Sequence, residues 1–176
     1  PNLLMTEFNV DGPLQCIVSD MTAFRAKGTY YELTLYMDIW NNEILSYSLS
    51  SKRGDRMTYI NGLNDLITLK EQYPEYETIL HSDQGSVYAS KKYNEILAPC
   101  GIIRSMSRAG TPTDNAVMEA INGWIKAEID SERWHKRYNT AKEMIAAYVA
   151  YFNNERPAYA LQYKSPVQFK IEQGFL

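Results

Sequence analysis

The alternation of hydrophobic and polar positions predicts three strands in the first third of the chain. Residues 14–23, 30–40 and 43–50 are short runs enriched in β-branched and aromatic side chains. A turn signal, Asn41-Asn42, separates the second run from the third. Strands joined by such short connections are typical of an antiparallel meander, so we expect the sheet to begin here.

Later segments alternate between helical and strand periodicity. The pattern predicts a helix in residues 56–73, a strand in 77–83, a short helix around 91–100, a strand in 101–106 and a long helix from about 115 to 132. A helix that joins two strands is a crossover, and it makes those strands parallel. The sequence therefore predicts an α/β fold with a five-stranded mixed sheet, three antiparallel strands followed by parallel additions, flanked by helices.

The composition is that of a globular domain. The 176 residues are 45% hydrophobic, which is enough to bury one core. The N-terminus lacks the pattern of a signal peptide, and no apolar run approaches the roughly 20 residues of a membrane helix, so we expect no membrane association. Two cysteines are too few for a disulfide framework or a Cys-rich zinc site, which favours a cytoplasmic location.

The net charge of −3 hides an asymmetry along the chain. Residues 133–170 contain seven Lys and Arg side chains but only two Glu side chains. Two interpretations stand at this point: this segment is a solvated helical face, or it is a basic flank that holds phosphates beside an acidic centre.

Two aspartates stand out because of their neighbours. Asp20 lies inside the first predicted strand, where aspartate is disfavoured and the flanking residues are apolar. Asp83 follows the fourth strand in the segment "HSDQG". If these strands are neighbours, both carboxylates project at one place and need a cation or a shared proton. The alternatives are a turn or cap role for Asp83 and an edge or cap role for Asp20.

The long helix offers a third carboxylate. Its apolar stripe, which should pack on the sheet, consists of Met118, Ile121, Ile125 and Ile129. The polar row beside that stripe consists of Asn115, Glu119, Asn122 and Lys126. Glu119 could therefore face the same cleft as the aspartates, and the alternative is that the row simply faces solvent. Gly123, beside the row, indicates a close backbone approach because glycine is costly inside a helix.

Three carboxylates without a nearby Cys or His cluster favour a hard divalent cation, magnesium or manganese rather than zinc. Two such ions would suit phosphoryl transfer, since one activates a water or a 3′-hydroxyl and the other stabilises the leaving oxygen. His81, two residues before Asp83, is expected to hydrogen-bond beside the metals rather than to ligate them. Asp38, at the end of the second strand, is interpreted as a turn residue.

Ordered motifs in the chain resemble those of one family. Thirty-five residues separate Asp83 from Glu119, and with Asp20 this spacing resembles the Asp, Asp-35-Glu signature of retroviral integrases and related bacterial insertion-sequence transposases. The segments "PNLL…F", "HSDQGSVYAS", "SMSRAGTPTDNAVMEAINGWIKAE" and "YFNNERPAYALQYKSPVQF" are similar to motifs that run in the same order through that transposase family. They include a lysine seven positions after the glutamate, Lys126.

The resemblance implies a ribonuclease H-like fold with Asp20 on the first strand, Asp83 after the fourth and Glu119 on the helix behind. These three residues would be both catalytic and metal-ligating, with two magnesium or manganese ions in the active complex. The implied activity is DNA cleavage at element ends followed by strand transfer, in which a freed 3′-hydroxyl attacks a phosphodiester. Further residues would contact DNA or support the site: His81, Asn115, Lys126 and Arg156. We also expect a homo-oligomer on DNA in the nucleoid.

The resemblance also implies how the chain is organised. We expect residues 1–176 to form a single catalytic core with a helical C-terminal extension, about 133–176, and the upstream DNA-recognition region of the family to be absent. The chain departs from the family pattern at Ile17, Ala158 and Gln162, which makes the DNA contacts of the tail less certain. The alternatives are a nuclease of the same fold that hydrolyses without joining, and an inactive DNA-binding remnant.

Overall fold

The chain folds around one five-stranded mixed sheet, seen in a computed structural model that describes residues 10–107 and 116–175. In chain order the strands are β1 (Cys16–Ala26), β2 (Thr29–Asp38), β3 (Glu43–Ser50), β4 (Thr78–Ser82) and β5 (Ile102–Met106). Their order across the sheet is β3-β2-β1-β4-β5. The pairs β1–β2 and β2–β3 are antiparallel, whereas β1–β4 and β4–β5 are parallel, which confirms the predicted sheet.

Six α-helices lie in the part of the chain that the structure describes. They are α1 (Arg56–Lys70), α2 (Lys91–Leu97), α3 (Ala116–Ile129), α4 (Glu132–Arg137), α5 (Ala141–Asn154) and α6 (Pro166–Glu172). Short 3₁₀ turns follow at Ala98–Cys100 and Tyr159–Leu161. The prediction of one helix up to residue 132 is wrong, because α3 ends at Ile129 and the hydroxyl of Ser131 donates to the carbonyl of Glu128.

The two faces of the sheet carry two separate cores, because successive strand residues point to opposite sides. Val18 and Leu35 face a core that α3 and α5 complete, and the predicted α3 stripe is fully buried there. Ile17 and Leu80 face the other core, which α1 and α2 complete. Each buried Leu, Ile or Met side chain contributes about 1.5–3 kcal/mol, so both helical layers are fixed to the sheet.

The β1–β2 connection is a tight two-residue turn. Lys27 has φ 51° and Gly28 has φ 77°, and two successive positive φ values are the geometry of a type I′ hairpin. Such a turn matches the twist of the flanking strands, so β1 and β2 stay paired up to Ala26 and Thr29. The hairpin therefore extends well beyond the end of β4, which pairs with β1 only as far as Ser19.

None of the helices in the described ranges has the length and apolar character needed to cross a membrane.

Candidate active site

Asp20 projects from the middle of β1 toward α3. Its position in the chain places it on the face of Val18, opposite to Ser19. The Oδ1 atom accepts the backbone N–H of Met21 at 2.8 Å, and Oδ2 accepts the side-chain amide of Asn122 at 2.8 Å. The carboxylate is therefore oriented by a helix residue that is 102 positions away in the sequence.

Asp83 lies beside Asp20 at the carboxyl end of the neighbouring strand. In the parallel pairing of β1 with β4, Ser19 is opposite Ser82, so Asp20 and Asp83 are the next residue on each chain. The Oδ1 atom of Asp83 accepts the backbone N–H of Gly85 at 2.7 Å, and the side chain is otherwise exposed. The expected convergence of the two aspartates on adjacent strands is thus found.

Glu119 completes the acidic group from the helix side. It lies in the first turn of α3, is exposed, and its charge acts on Asp20. Burial, together with the negative charges of Asp83 and Glu119, raises the pKa of Asp20 to about 6, although the hydrogen bonds from Met21 and Asn122 lower it. A raised pKa in a cleft with like charges is typical of sites that bind cations or protons.

The donor atoms of this group suit a hard divalent cation. Asn122 is 6% exposed, and its Oδ1 atom has no hydrogen-bond partner among the described residues, so a neutral oxygen donor is buried beside the carboxylate of Asp20. Carboxylate and amide oxygens are the ligands that magnesium prefers. Within the described ranges, no three His, Cys, Asp or Glu side chains lie close enough to enclose one ion. The acids are thus neighbours without a closed ligand shell.

His81 lies in β4, two residues before Asp83. The ring is fully buried, with Nδ1 2.8 Å from the Ser105 hydroxyl and Nε2 3.1 Å from the Ser107 hydroxyl. Both ring nitrogens thus have partners on or just after β5. This agrees with a hydrogen-bonding role rather than with direct ligation.

Asp38 has the turn role that was expected. Its carboxylate accepts the backbone N–H groups of Leu14 at 2.7 Å and of Trp40 at 3.0 Å, at the end of β2 remote from Asp83. It is 1% exposed and does not belong to the acidic group.

Two further residues belong to the site, and sequence reasoning did not assign them to it. Asn122 was visible only as a member of the polar row on α3. Tyr59 of α1 carries no signal in its local sequence, yet burial together with the charges of Asp83, Glu32 and Asp20 raises its pKa to about 12. Tyr59 therefore lies beside the acids on the α1 side of the sheet.

The other expected contacts have different surroundings. Lys126 is exposed on α3, seven residues after Glu119 and hence on nearly the same side of the helix. Arg156 has an internal partner, because its Nε donates to Glu128 at 2.8 Å and its Nη2 lies 2.7 Å from the same carboxylate. Asn115 lies outside the described residues. The expected close approach at Gly123 is wrong, since an added Cβ would meet no described atom within 4 Å.

Comparison with protein families decides the relationship. A family model described as the integrase core domain matches residues 10–112, and a second model with the same description matches residues 100–166. The chain belongs to the integrase core domain family. The resemblance inferred from the motifs is thus confirmed, as is the expectation of an integrase-type transposase core.

Relatives of this integrase core are named as transposases. The chain is 33% identical over 170 residues to a protein assigned as the transposase InsK of insertion sequence element IS150 from Escherichia coli, covering 97% of this chain and 59% of that protein. It is 33% identical over 172 residues to the transposase of insertion sequence element IS904 from Lactococcus lactis, covering 97% of this chain and 66% of that protein. The integrase core thus spans about two thirds or less of these relatives.

Solved structures show the same fold. The integrase core superposes on a chain of the simian T-cell lymphotropic virus intasome with a TM-score of 0.76 at 18% identity, over 90% of this chain and 54% of that chain. It superposes on the HTLV-2 integrase catalytic core domain, solved in complex with magnesium, with a TM-score of 0.69 at 16% identity, over 90% and 97% of the two chains. The fold is therefore ribonuclease H-like, as expected.

Proposed function

We propose that this chain is the catalytic core of a DNA transposase that cleaves phosphodiesters at element ends and joins the freed 3′-hydroxyl to target DNA. The observation that carries the proposal is that Asp20 and Asp83 directly follow the paired residues Ser19 and Ser82 on adjacent parallel strands. Burial, together with the charges of Asp83 and Glu119, raises the pKa of Asp20, which supports placing the three acids in one site. Burial of the Asp20 carboxylate beside like charges is unfavourable without a cation or a proton.

The acids and Asn122 are the residues that would hold divalent metal. Asp20, Asp83 and Glu119 would supply carboxylate oxygens, and the side-chain amide of Asn122, which donates to Asp20, also has an Oδ1 atom without a partner among the described residues. We infer magnesium or manganese, with two ions in the active complex. Bound metal would supply Lewis-acid activation of the attacking oxygen and stabilisation of the leaving oxygen.

The surrounding side chains position these donors. Asn122 orients the carboxylate of Asp20. His81 ties the end of β4 to the serines of β5, so that Asp83 leaves the sheet at a fixed point. We propose that Lys126, which is exposed on nearly the same side of α3 as Glu119, holds a phosphate on that side of the cleft. We also propose that Asn115 and Arg156 contact DNA. Arg156 would do so by releasing or reorienting its ion pair with Glu128.

The partners follow from the reaction. DNA is the substrate both as the element end and as the target, and we propose that a homo-oligomer holds two ends together. The HTLV-2 integrase core was solved in trimeric and dimeric forms, and the simian virus chain comes from an intasome. We further propose that residues 1–176 are one core with a helical C-terminal extension, that end recognition resides in a separate region, and that the protein acts in the cytoplasm at the nucleoid.

A strand-transfer assay tests the proposal. The substrate is a labelled duplex that ends in the terminal repeat of the encoding element and is already cut, so that its 3′-hydroxyl is free. With magnesium or manganese, the full-length enzyme that carries this core should give joined products, whereas Asp83→Asn and Glu119→Gln should give none. Hydrolysis without joining would favour a nuclease of the same fold. Joining by the Asp83→Asn enzyme would overturn the assignment of the acids.

A further inference from the structure

A cluster of cations lies at the free end of the β1–β2 hairpin and in the connection that follows β3. The hairpin-end cations are Arg25, Lys27, Lys52, Arg53 and Arg56. All five side chains are exposed. This local positive charge contrasts with the chain as a whole, which has 18 Lys and Arg side chains against 21 Asp and Glu side chains.

The two acids in this region are occupied by internal hydrogen bonds. Glu32 is 4% exposed, and its oxygens accept the Tyr30 hydroxyl at 2.9 Å and the backbone N–H of Gly54 at 2.9 Å. Asp55 caps α1 and accepts the Ser50 hydroxyl at 2.6 Å. These acids shape the loop that carries the cations and keep their negative charge, and the five hairpin-end cations outnumber them.

Two of the hairpin-end cations have side-chain contacts that hold them in place. The guanidinium of Arg53 lies 4.3 Å from the centre of the Tyr30 ring, and Tyr30 is the backbone partner of Arg25 in the β1–β2 pair. Lys27 occupies a left-handed turn position and donates to the backbone carbonyl of His135 at the end of α4. Side chains held in this way lose less rotamer entropy when they bind an anion.

The cluster lies on the same edge of the sheet as the acids. Beyond the Ser19–Ser82 pair, β1 continues without β4 along its side. Arg25 is five residues after Asp20, which at about 3.4 Å per residue is about 17 Å along the strand. Because five is an odd number, the Arg25 side chain projects from the α1 face of the sheet, opposite to the face from which Asp20 projects. Phosphates on one strand of B-DNA are about 3.4 Å apart along the axis, so this distance corresponds to about five nucleotides.

Tyr59 connects the acids to the cluster. It lies in the first turn of α1, three residues after Arg56, and its ring packs edge-on against that of Tyr88 with the ring centres 5.0 Å apart. The Tyr88 hydroxyl is 2.8 Å from the hydroxyl of Ser19, the residue before Asp20. The start of α1 thus leads from the hairpin-end cations toward the strand that carries Asp20.

We propose that the hairpin-end cations bind the phosphates of DNA that flanks the reacting phosphodiester, about five nucleotides from it. This inference rests on the proposed function, because the acids define which DNA enters the cleft. This basic surface lies outside residues 133–170, where Lys164 and Lys170 are already paired with Glu172 and Glu43. Attraction between the phosphates and the charges of Arg25 and Arg53 would offset the repulsion between the phosphate backbone and the nearby acids.

The test compares two double variants of the chain. Arg25→Gln/Arg53→Gln removes two hairpin-end cations. Lys164→Gln/Lys170→Gln removes two charges near the β2–β3 turn, at the opposite end of the sheet, where the lysines pair with Glu172 and Glu43. Binding of a fluorescein-labelled duplex of about 30 base pairs is followed by anisotropy over a range of salt concentrations.

The hairpin variant should bind at least about 10-fold more weakly at low salt, and the slope of log K against log salt should become shallower by about 1.8, the value for two phosphate contacts. The control should keep the slope of the parent. Three results would contradict the proposed DNA-binding surface. They are an unchanged slope in the hairpin variant, an equal change of slope in both variants, and no binding of DNA by the parent.

Metal-induced stabilisation separates this inference from the proposed function. The parent and the hairpin variant should gain the same increase in Tm with manganese, because no hairpin-end cation is a ligand. If metal stabilisation and strand transfer are present while the salt slope is unchanged, the surface is wrong and the proposed function stands. If the parent shows no metal response but the slope changes as expected, the surface binds DNA and the proposed function fails.

Discussion

At the scale of single residues, Asp20 is the most constrained member of the acidic group. It is partly buried, it lies beside two other acids, and its pKa is raised to about 6 from an ordinary value of 3.8. Its place within an apolar strand was enough to single it out from the sequence. The role of Asn122 was not predictable, because a hydrogen bond across 102 residues depends on how α3 packs on β1.

Neutralising Asp20 should therefore stabilise the metal-free protein at neutral pH. A folded-state pKa above the unfolded value means that stability is lost as pH rises from about 4 through about 6. Asp20→Asn escapes this loss, and a rotated Asn122 amide could offer its unpaired Oδ1 to the new amide. We expect a gain on the order of 1–2 kcal/mol at pH 7, reduced for partial exposure, and no gain below about pH 4.

Thermal melts in a chelator, repeated across this pH range, measure the effect. Asp65→Asn, at an exposed aspartate of α1, is the matched control and should follow the parent at each pH. A lower Tm for Asp20→Asn than for the parent at pH 7 would mean that the Asp20 carboxylate stabilises the fold and does not destabilise it.

Gly85 is the residue whose replacement should disturb Asp83 alone. A Cβ at position 85 would lie 2.8 Å from the Oδ1 atom of Asp83, so Gly85→Ala should displace the carboxylate. We expect a smaller manganese-induced rise in Tm than in the parent, with the Tm in chelator changed little. Gly123→Ala, which fills open space in α3, is the control and should gain up to about 1 kcal/mol with an unchanged metal response. If manganese raises the Tm of both variants equally, Asp83 is not a ligand of the metal.

At the scale of elements, α3 is held at its far end by α5 and the segment after it. Glu128 accepts the Tyr148 hydroxyl at 2.8 Å as well as the Arg156 guanidinium. That guanidinium also lies 5.6 Å from the Trp124 ring centre and 5.2 Å from the Phe152 ring centre. The helix that carries Glu119 is thus fixed by a network of side-chain contacts. Sequence motifs include several of its residues but do not show which of them contact each other.

The network predicts that Arg156→Ala destabilises the fold. It removes a forked ion pair and leaves Glu128 with only the Tyr148 bond, so we expect a loss of about 1–3 kcal/mol in the free energy of unfolding. Lys126→Ala removes the same charge from an exposed site on α3 and should change stability by less than about 0.5 kcal/mol. Urea denaturation of both variants makes the comparison. If Arg156→Ala is as stable as Lys126→Ala, the Glu128 pair does not anchor α3.

Element boundaries show where periodicity succeeds and where it fails. β3 begins and ends at the predicted residues 43 and 50, because both of its ends have turn signals. The predicted long helix failed at its C-terminal end, where the stripe stops at Ile129 and Trp134 enters the core from a new helix. A polar side chain that bonds its own backbone, here Ser131, decides that boundary.

At the scale of the whole molecule, the site depends on the order of strands in the sheet. Periodicity predicted five strands and their directions, yet it could not show that β4 lies next to β1. Only the family resemblance implied this neighbour, and the register of Ser19 with Ser82 realises it. The central claim is that this order exists to place Asp20, Asp83 and Glu119 around divalent metal.

A manganese soak of crystals at a pH above about 6, where Asp20 is ionised, tests that claim most directly. Anomalous scattering locates manganese without reference to any assumed ligand. We expect an anomalous peak bonded to carboxylate oxygens of both Asp20 and Asp83, on the side that faces Glu119. The peak should vanish in crystals of Asp83→Asn. No peak at the acids in the parent, or an unchanged peak in the variant, would contradict it.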